Sequence, residues 1–152
     1  MLAQKQIVKM EPDYMDEKTG FVPSGISRQQ FSSLVEYSHL AEGFDAQQLH
    51  RKVQRHLEDA KLAHSRNRIV NFKLASAIAE VLTQVLSQWN DHPSHLRHWI
   101  GGAALYFADS RDNEHDFSSA IGFEDDAEVL NACLHCVGLE SLRIHIEDFD
   151  HA

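Results

Sequence analysis

The sequence predicts an all-α protein, a compact bundle of five or six helices with an N-terminal arm. In the predicted helices, apolar side chains recur mostly at intervals of three or four residues, which is the spacing of one face of an α-helix. Seven Gly and three Pro in 152 residues are few, which favours long regular elements over a turn-rich β fold. A chain of this length, 43% hydrophobic, fits one domain and can bury a sizeable core.

The chain divides into an arm, one helical domain and a short tail. Residues 1–25 have no periodic pattern, so we expect an extended or poorly ordered arm. Residues 26–146 form the predicted helical domain, and residues 147–152 form a frayed tail. The breakers in the arm are Pro12, Gly20, Pro23 and Gly25.

Capping boxes predict where the first two helices begin. In a capping box, two residues three positions apart each bond the backbone N–H of the other through their side chains. Two pairs have this spacing, Ser27 with Gln30 and Asp45 with Gln48. Gly43 is expected to end the first helix. The second helix is polar and basic apart from one narrow stripe, so it should lie on the surface. The first helix is expected to bury Phe31, Leu34, Val35 and Leu40, and the second Leu49, Val53, Leu57 and Leu62.

Two strongly apolar segments follow. The broad apolar face between Ile69 and Trp89 predicts a central helix that packs on more than one neighbour. It should end near Asn90, because the residue before Pro93 disfavours the α region. Pro93 suits the start of a fourth helix, in which Gly101-Gly102 and two alanines give a smooth face for close helix contact.

An acidic linker, residues 109–122, joins the fourth helix to the last long one. A short helical turn near residues 116–120 is expected within it. The last helix begins between Phe123 and Asp126, where carboxylates complement the helix dipole, and Gly138 is expected to break it. The alternation from Leu142 to Ile146 fits a short strand or a final helix.

The charge distribution restricts the class of partner. A net charge of −9 argues against nucleic-acid binding, which relies on Lys and Arg at the phosphates. Residues 50–73 carry seven Lys or Arg and two acids, whereas residues 109–152 carry twelve acids and two Arg. We expect this polarity to be satisfied within the fold or between protomers, by a protein partner or by self-association into a homo-oligomer.

The expected cellular compartment follows from two features that the sequence does not show, an apolar run of membrane-spanning length and a signal peptide. No apolar run approaches the roughly 20 residues that span a bilayer, so no stable membrane insertion is expected. Residues 1–6 contain no apolar stretch of the signal-peptide kind. The expected location is the cytoplasm.

The acidic linker and its flanks resemble the YkvA-like helical domain family, whose biochemical role is undefined. The family pattern has a Leu-Tyr-Phe run, an Asp, a second Asp four residues later, a Gly and an Asp-Asp pair. The matching residues are Leu105, Tyr106, Phe107, Asp112, Asp116, Gly122, Asp125 and Asp126. The resemblance covers about residues 100–138. It implies a helical hairpin, residues 94–108 and 123–137, at the centre of the fold, and no established activity.

The linker departs from the family pattern in two ways. Ser110, His115 and Ser119 stand where the family usually has proline, which fixes φ, so we expect this linker to be looser than in the family or to be held by other contacts. The residues between the two aspartates are polar here and usually apolar in the family. The membrane association described for many family members is therefore not expected.

The linker carboxylates admit three interpretations. Asp112 and Asp116 share a face if the linker is helical, and a turn could bring them to Asp125 and His115 around Mg²⁺ or Ca²⁺. Alternatively, the acids cap helix N-termini and pair with the basic second helix, or they form a partner-binding surface. We expect no cofactor, with a divalent cation as the alternative.

Two further clusters contain metal-ligand residue types. His92, His95 and His98 are spaced by three and could bind a transition metal; surface or interface histidines are the competing interpretation. Cys133 and Cys136 lie one helical turn apart, but no second such pair completes a zinc site. Reduced, buried structural thiols are expected.

No nucleophile elbow, phosphate-binding loop or dinucleotide-binding glycine motif appears, and no catalytic residue is assigned. The sequence therefore predicts a non-enzymatic protein-interaction or regulatory module. The alternative is a metal-dependent enzyme or metal-binding protein that uses Asp112, Asp116, Asp125 and His115.

Overall fold

The computed structural model describes residues 22–109 and 122–149, and every regular element within these ranges is helical. The predicted all-α bundle is thereby confirmed. The expectations for residues 1–21, 110–121 and 150–152 lie outside the described residues. The α-helices are α1 (Arg28–Ala41), α2 (Ala46–Arg66), α3 (Phe72–Leu86), α4 (Ser94–Ala108) and α5 (Glu124–Cys136). The 3₁₀ turns are Trp89–Asp91, Glu140–Leu142 and Ile146–Phe149.

Both predicted capping boxes are confirmed. The Ser27 Oγ accepts from the Gln30 N–H at 3.0 Å, and the Gln30 Oε1 accepts from the Ser27 N–H at 2.8 Å. The Asp45 and Gln48 pair does the same at 2.8 and 2.9 Å. A good N-cap stabilises a helix by about 1 kcal/mol, which explains why α1 and α2 begin where the local sequence predicts.

The two glycines of α4 make the predicted close helix contact, and the partner helix is α1. A Cβ atom added to Gly102 would lie 2.9 Å from the Ser38 Cα and collide with the Ser38 hydroxyl. One added to Gly101 would lie 3.0 Å from the Ala41 Cβ. The two glycines therefore set how closely α1 and α4 approach.

The most buried helix is α4, and the prediction that the third segment is the central helix was wrong. Ten of the fifteen α4 residues are buried, and α4 packs on α1, α2 and α5. Helix α3 packs on α2 and α5, so it has more than one neighbour as expected, but seven of its residues are buried. It ends at Leu86, before the Trp89–Asp91 turn, rather than near Asn90.

Two leucines assigned to buried stripes are exposed instead. Leu40 is 54% exposed and Leu62 is 52% exposed. At about 100° per residue, Leu40 lies a quarter turn from buried Ala41, and Leu62 lies on the opposite side of α2 from buried Ala60. The intervals between apolar residues predicted that Leu40 and Leu62 lie on the buried faces of α1 and α2, but both side chains lie on other faces of these helices.

In the described part of the C-terminal region, Leu142 to Ile146 form neither the predicted short strand nor an α-helix; the 3₁₀ turns Glu140–Leu142 and Ile146–Phe149 lie at the two ends of this segment. Helix α5 ends at Cys136, and Gly138, whose φ is 83°, follows two residues later. The Leu139 N–H donates to the Leu134 carbonyl at 2.8 Å, as is common where a glycine terminates a helix. Further on, the Asn131 side chain accepts from the Ile144 N–H and donates to the Ile144 carbonyl, each at 2.8 Å. This amide satisfies the backbone groups that a partner strand would otherwise bind.

None of the described helices combines the length and the hydropathy that crossing a membrane requires.

Candidate functional site

Of the predicted metal ligands, the structure describes Asp125. Asp112, His115 and Asp116 lie outside the described residues, so the metal site stays a prediction. Within residues 22–109 and 122–149, no three His, Cys, Asp or Glu side chains are grouped to hold a metal ion.

Asp125 connects three helices through hydrogen bonds. Its Oδ1 accepts from the Gln30 Nε2 at 2.6 Å, and its Oδ2 accepts from the Tyr106 hydroxyl at 2.9 Å. The same Gln30 amide donates to the Glu128 Oε1 at 3.1 Å. Gln30 therefore completes the cap of α1 with its oxygen and holds the first turn of α5 with its nitrogen.

The acids at the start of α5 take the dipole position that was predicted. Glu124, Asp125 and Asp126 occupy its first turn, where negative charge is favourable. The N-cap residue is Phe123, which makes no side-chain capping bond. None of these carboxylates is therefore the N-cap of α5; they stabilise the helix end by charge, and Asp125 also bonds to α1 and α4.

A polar cleft of about 610 Å³ opens beside Asp125. Its wall contains two carboxylates, Asp125 and Glu128, and several hydroxyl and amide groups. The lining residues are Ser27, Gln29, Gln30, Ser33, Tyr37, Tyr106, Asp125 and Glu128. The groups can exchange hydrogen bonds with a ligand, but no nucleophile–base pair is placed among them.

Of the three clustered histidines, His95 and His98 lie in α4 and face different partners. The His95 Nε2 lies 3.9 Å from the Cys136 Sγ of α5. The His98 Nδ1 lies 3.1 Å from the Glu42 Oε2 next to α1, and its ring is 5.5 Å from that of His39. These contacts support the interpretation of interface histidines.

The two cysteines are reduced and differ in exposure. Cys133 is fully buried, and Cys136 is partly buried. Burial, and secondarily the neighbouring Cys136, raises the pKa of the Cys133 thiol well above its ordinary value of 9.0. The predicted burial is confirmed for Cys133, whereas Cys136 is partly rather than fully buried.

Sequence reasoning missed a groove between the end of α1, the first half of α2 and the end of α4. Its first part, about 440 Å³, is lined by the exposed cations Arg51, Lys52 and Arg55. Its second part, about 270 Å³, is lined by the apolar side chains of Leu40, Phe44 and Leu105 and by Tyr37. Phe44, Lys52 and Ala108 line both parts, so we treat them as one basic groove.

A second exposed surface, the α2–α3 corner, lies at the other end of α2. Leu62 and Ile69 are each 52% exposed. The cations of this corner, all exposed, are Lys61, Arg66 and Arg68.

The cations of both surfaces lack ion-pair partners. No carboxylate lies within 4.0 Å of Arg51, Lys52, Arg55, Lys61, Arg66 or Arg68 in the part of the chain that the structure describes. The basic character of α2 was visible in the sequence. Its proximity to Leu40, Phe44 and Leu105 was not, because that depends on how three helices pack.

Comparisons of the chain with protein-family models, with curated proteins and with solved structures found no match. The resemblance to the YkvA-like family therefore stays a prediction, which rests on the motif residues between positions 100 and 138.

Proposed function

We propose that this protein is a non-enzymatic interaction module that associates with a second copy of itself through the α2–α3 corner. The observation that carries the proposal is the exposure of Leu62 and Ile69 among Lys61, Arg66 and Arg68, none of which has a carboxylate partner in the described ranges. An apolar centre with a charged rim is the usual composition of a protein interface.

The energetics support association through this corner. Fully burying an exposed Leu or Ile side chain contributes about 1.5–3 kcal/mol. Leu62 and Ile69 are each 52% exposed, so covering the remaining half of both contributes roughly 1.5–3 kcal/mol in total, enough to assist a weak contact. The surrounding cations would add little affinity of their own, but they would accelerate encounter with an acidic surface and exclude basic ones.

A second copy is the partner that fits the charges best. The chain has a net charge of −9, with its acids concentrated after residue 108. Exposed carboxylates among the described residues include Glu128, Glu140 and Glu147. In a two-fold dimer each corner would meet the acidic surface of the other copy, and such an arrangement closes without forming filaments.

The proposed location is the cytoplasm, and the proposed partner is a protein rather than nucleic acid. Cys133 forms no disulfide, which supports a reducing compartment. The net charge of −9 works against binding a polyanion.

The alternative is a metal-dependent enzyme that uses Asp112, Asp116, Asp125 and His115. Of these, Asp125 alone is described, and both of its oxygens accept hydrogen bonds from protein groups. No observation on the described residues favours this alternative over self-association.

Sedimentation velocity at micromolar protein concentration tests self-association. We expect a dimer at low salt, weakened about tenfold at high salt because screening reduces the contribution of the rim charges. Replacing both exposed apolar residues, Leu62→Ser with Ile69→Ser, should yield a monomer with an unchanged melting temperature. The matched double variant Arg51→Glu with Arg55→Glu, in the other half of α2, should still dimerise. A monomeric mass of the unaltered protein at low salt would contradict the proposal.

A further inference from the structure

We propose that the basic groove binds a short acidic segment of a partner protein, and that the segment inserts one large apolar side chain. The proposal does not depend on self-association, because it uses the opposite half of α2. At 1.5 Å per residue, Lys52 and Arg66 lie about 21 Å apart along the helix.

The cationic part of the groove selects carboxylates. Arg51 and Arg55 share one face of α2 at four-residue spacing, and both are exposed with no carboxylate within 4.0 Å among the described residues. Each guanidinium presents a planar fork that matches a carboxylate. Asp59 also lines this part, yet three cations against one acid leave an excess of positive charge.

The apolar part of the groove provides a place for an anchor. Leu40 is 54% exposed, and it borders a pocket of about 270 Å³ together with Phe44 and Leu105. Asp109 lies at the edge of this pocket and disfavours an acidic group inside it. A buried apolar or aromatic anchor surrounded by polar contacts is the arrangement that dominates binding energy at interfaces.

Lys52 joins the two parts. Its Nζ lies 5.0 Å from the centroid of the Phe44 ring, a distance typical of a cation–π contact. One side chain therefore presents a cation directly beside the apolar pocket. A ligand that fills both parts of the groove must therefore carry an apolar residue next to its carboxylates. A short acidic segment with a single Leu or Phe has this composition.

Fluorescence anisotropy with the full-length protein tests the groove. The probe is a labelled peptide, Glu-Glu-Leu-Glu-Glu, with two matched peptides in which Ala replaces Leu or Gln replaces every Glu. We expect saturable, salt-sensitive binding of the first peptide and about tenfold weaker binding of each of the others.

Protein variants locate the site. Arg51→Glu with Arg55→Glu should weaken binding at least about tenfold, whereas the matched control Arg66→Glu with Arg68→Glu should change it by less than about twofold. Leu40→Ser should weaken binding of the peptide with Leu and leave binding of the peptide with Ala unaffected. A double-mutant cycle measures this coupling between Leu40 and the peptide's Leu. Unchanged circular dichroism and melting temperature of each variant exclude misfolding.

Four outcomes would overturn the proposal: no binding of the acidic peptides, equal binding of the Gln peptide, tighter binding of a single-stranded oligonucleotide, or loss of dimers in Arg51→Glu with Arg55→Glu. The last would make the groove a contact between copies. Peptide binding by a protein that remains monomeric would instead leave the groove proposal standing and contradict the proposed dimer.

Discussion

At the residue scale, burial makes two cysteines of the same helix chemically different. Cys133 is enclosed by the core, whereas Cys136 is partly accessible and lies 3.9 Å from the His95 Nε2. Because burial raises the pKa of Cys133 well above 9.0, the folded protein keeps this thiol protonated when the unfolded chain ionises it. The thiol therefore contributes stability below pH 9.0 that is lost as the pH rises towards the folded-state pKa.

This predicts a pH-dependent effect of Cys133→Ala. At about pH 7 the variant should be less stable than the unaltered protein by about 1–2 kcal/mol, because a cavity replaces the sulfur. Above pH 9.0 the difference should shrink, since only the unaltered protein loses the contribution of Cys133. Urea unfolding of both proteins, from about pH 7 to above pH 9.0, measures this difference in the free energy of unfolding. If the difference in unfolding free energy between the two proteins does not change with pH, burial does not raise the pKa of Cys133.

At the scale of elements, local signals were predictable and contacts between helices were not. Ser27 and Gln30 are three residues apart, so the capping box could be read from the sequence. The bonds from Gln30 to Asp125 and Glu128 connect positions almost one hundred residues apart, and no local pattern encodes them. The same limit explains the exposed Leu62, because which face of α2 is buried depends on its neighbours.

Gln30→Glu tests the connection between α1 and α5. Glutamate can keep the oxygen that caps the Ser27 N–H, but it loses both donations from the amide and adds a third carboxylate beside Asp125 and Glu128. We expect a loss of about 2–3 kcal/mol at neutral pH. The loss should decrease below about pH 5, where protonation relieves the repulsion.

The second capping box provides the matched control. Gln48 occupies the same position in α2, and its side-chain and cap hydrogen bonds are made with Asp45 alone among the described residues. Gln48→Glu places its charge one helical turn before Arg51 and Lys52, so it should be neutral or slightly stabilising. Equal losses for the two variants in chemical unfolding would show that the contact with α5 contributes nothing.

At the scale of the whole molecule, the all-α class was predictable because periodicity repeats in every helix. The site was only partly predictable: the basic character of α2 and the acids at the start of α5 are sequence properties. The basic groove exists because α1 and α4 end beside α2 and bring Leu40, Leu105 and Lys52 together. Charge and apolar surface thus become one binding surface through packing alone.

The metal hypothesis also makes a prediction for the whole molecule. An ion that binds the native state and not the unfolded chain stabilises the entire fold, by about 2.7 kcal/mol at a hundredfold excess over Kd. If Asp112, Asp116, Asp125 and His115 hold Mg²⁺, Mn²⁺, Ca²⁺ or Zn²⁺, one of these ions should raise the melting temperature, and Asp125→Asn should abolish the rise.

Glu128→Gln is the matched control for that scan, because it removes the same charge from the adjacent turn of α5 and from the same Gln30 amide. For each variant, the melting temperature with the ion is compared with its own melting temperature without the ion. This is necessary because Asp125→Asn also weakens the bonds from Gln30 and Tyr106. A rise that Glu128→Gln preserves and Asp125→Asn removes would support a metal site at Asp125. If none of the four ions stabilises the unaltered protein, the metal-dependent alternative is wrong, and the acids at the start of α5 act through the helix dipole and the bonds to α1 and α4.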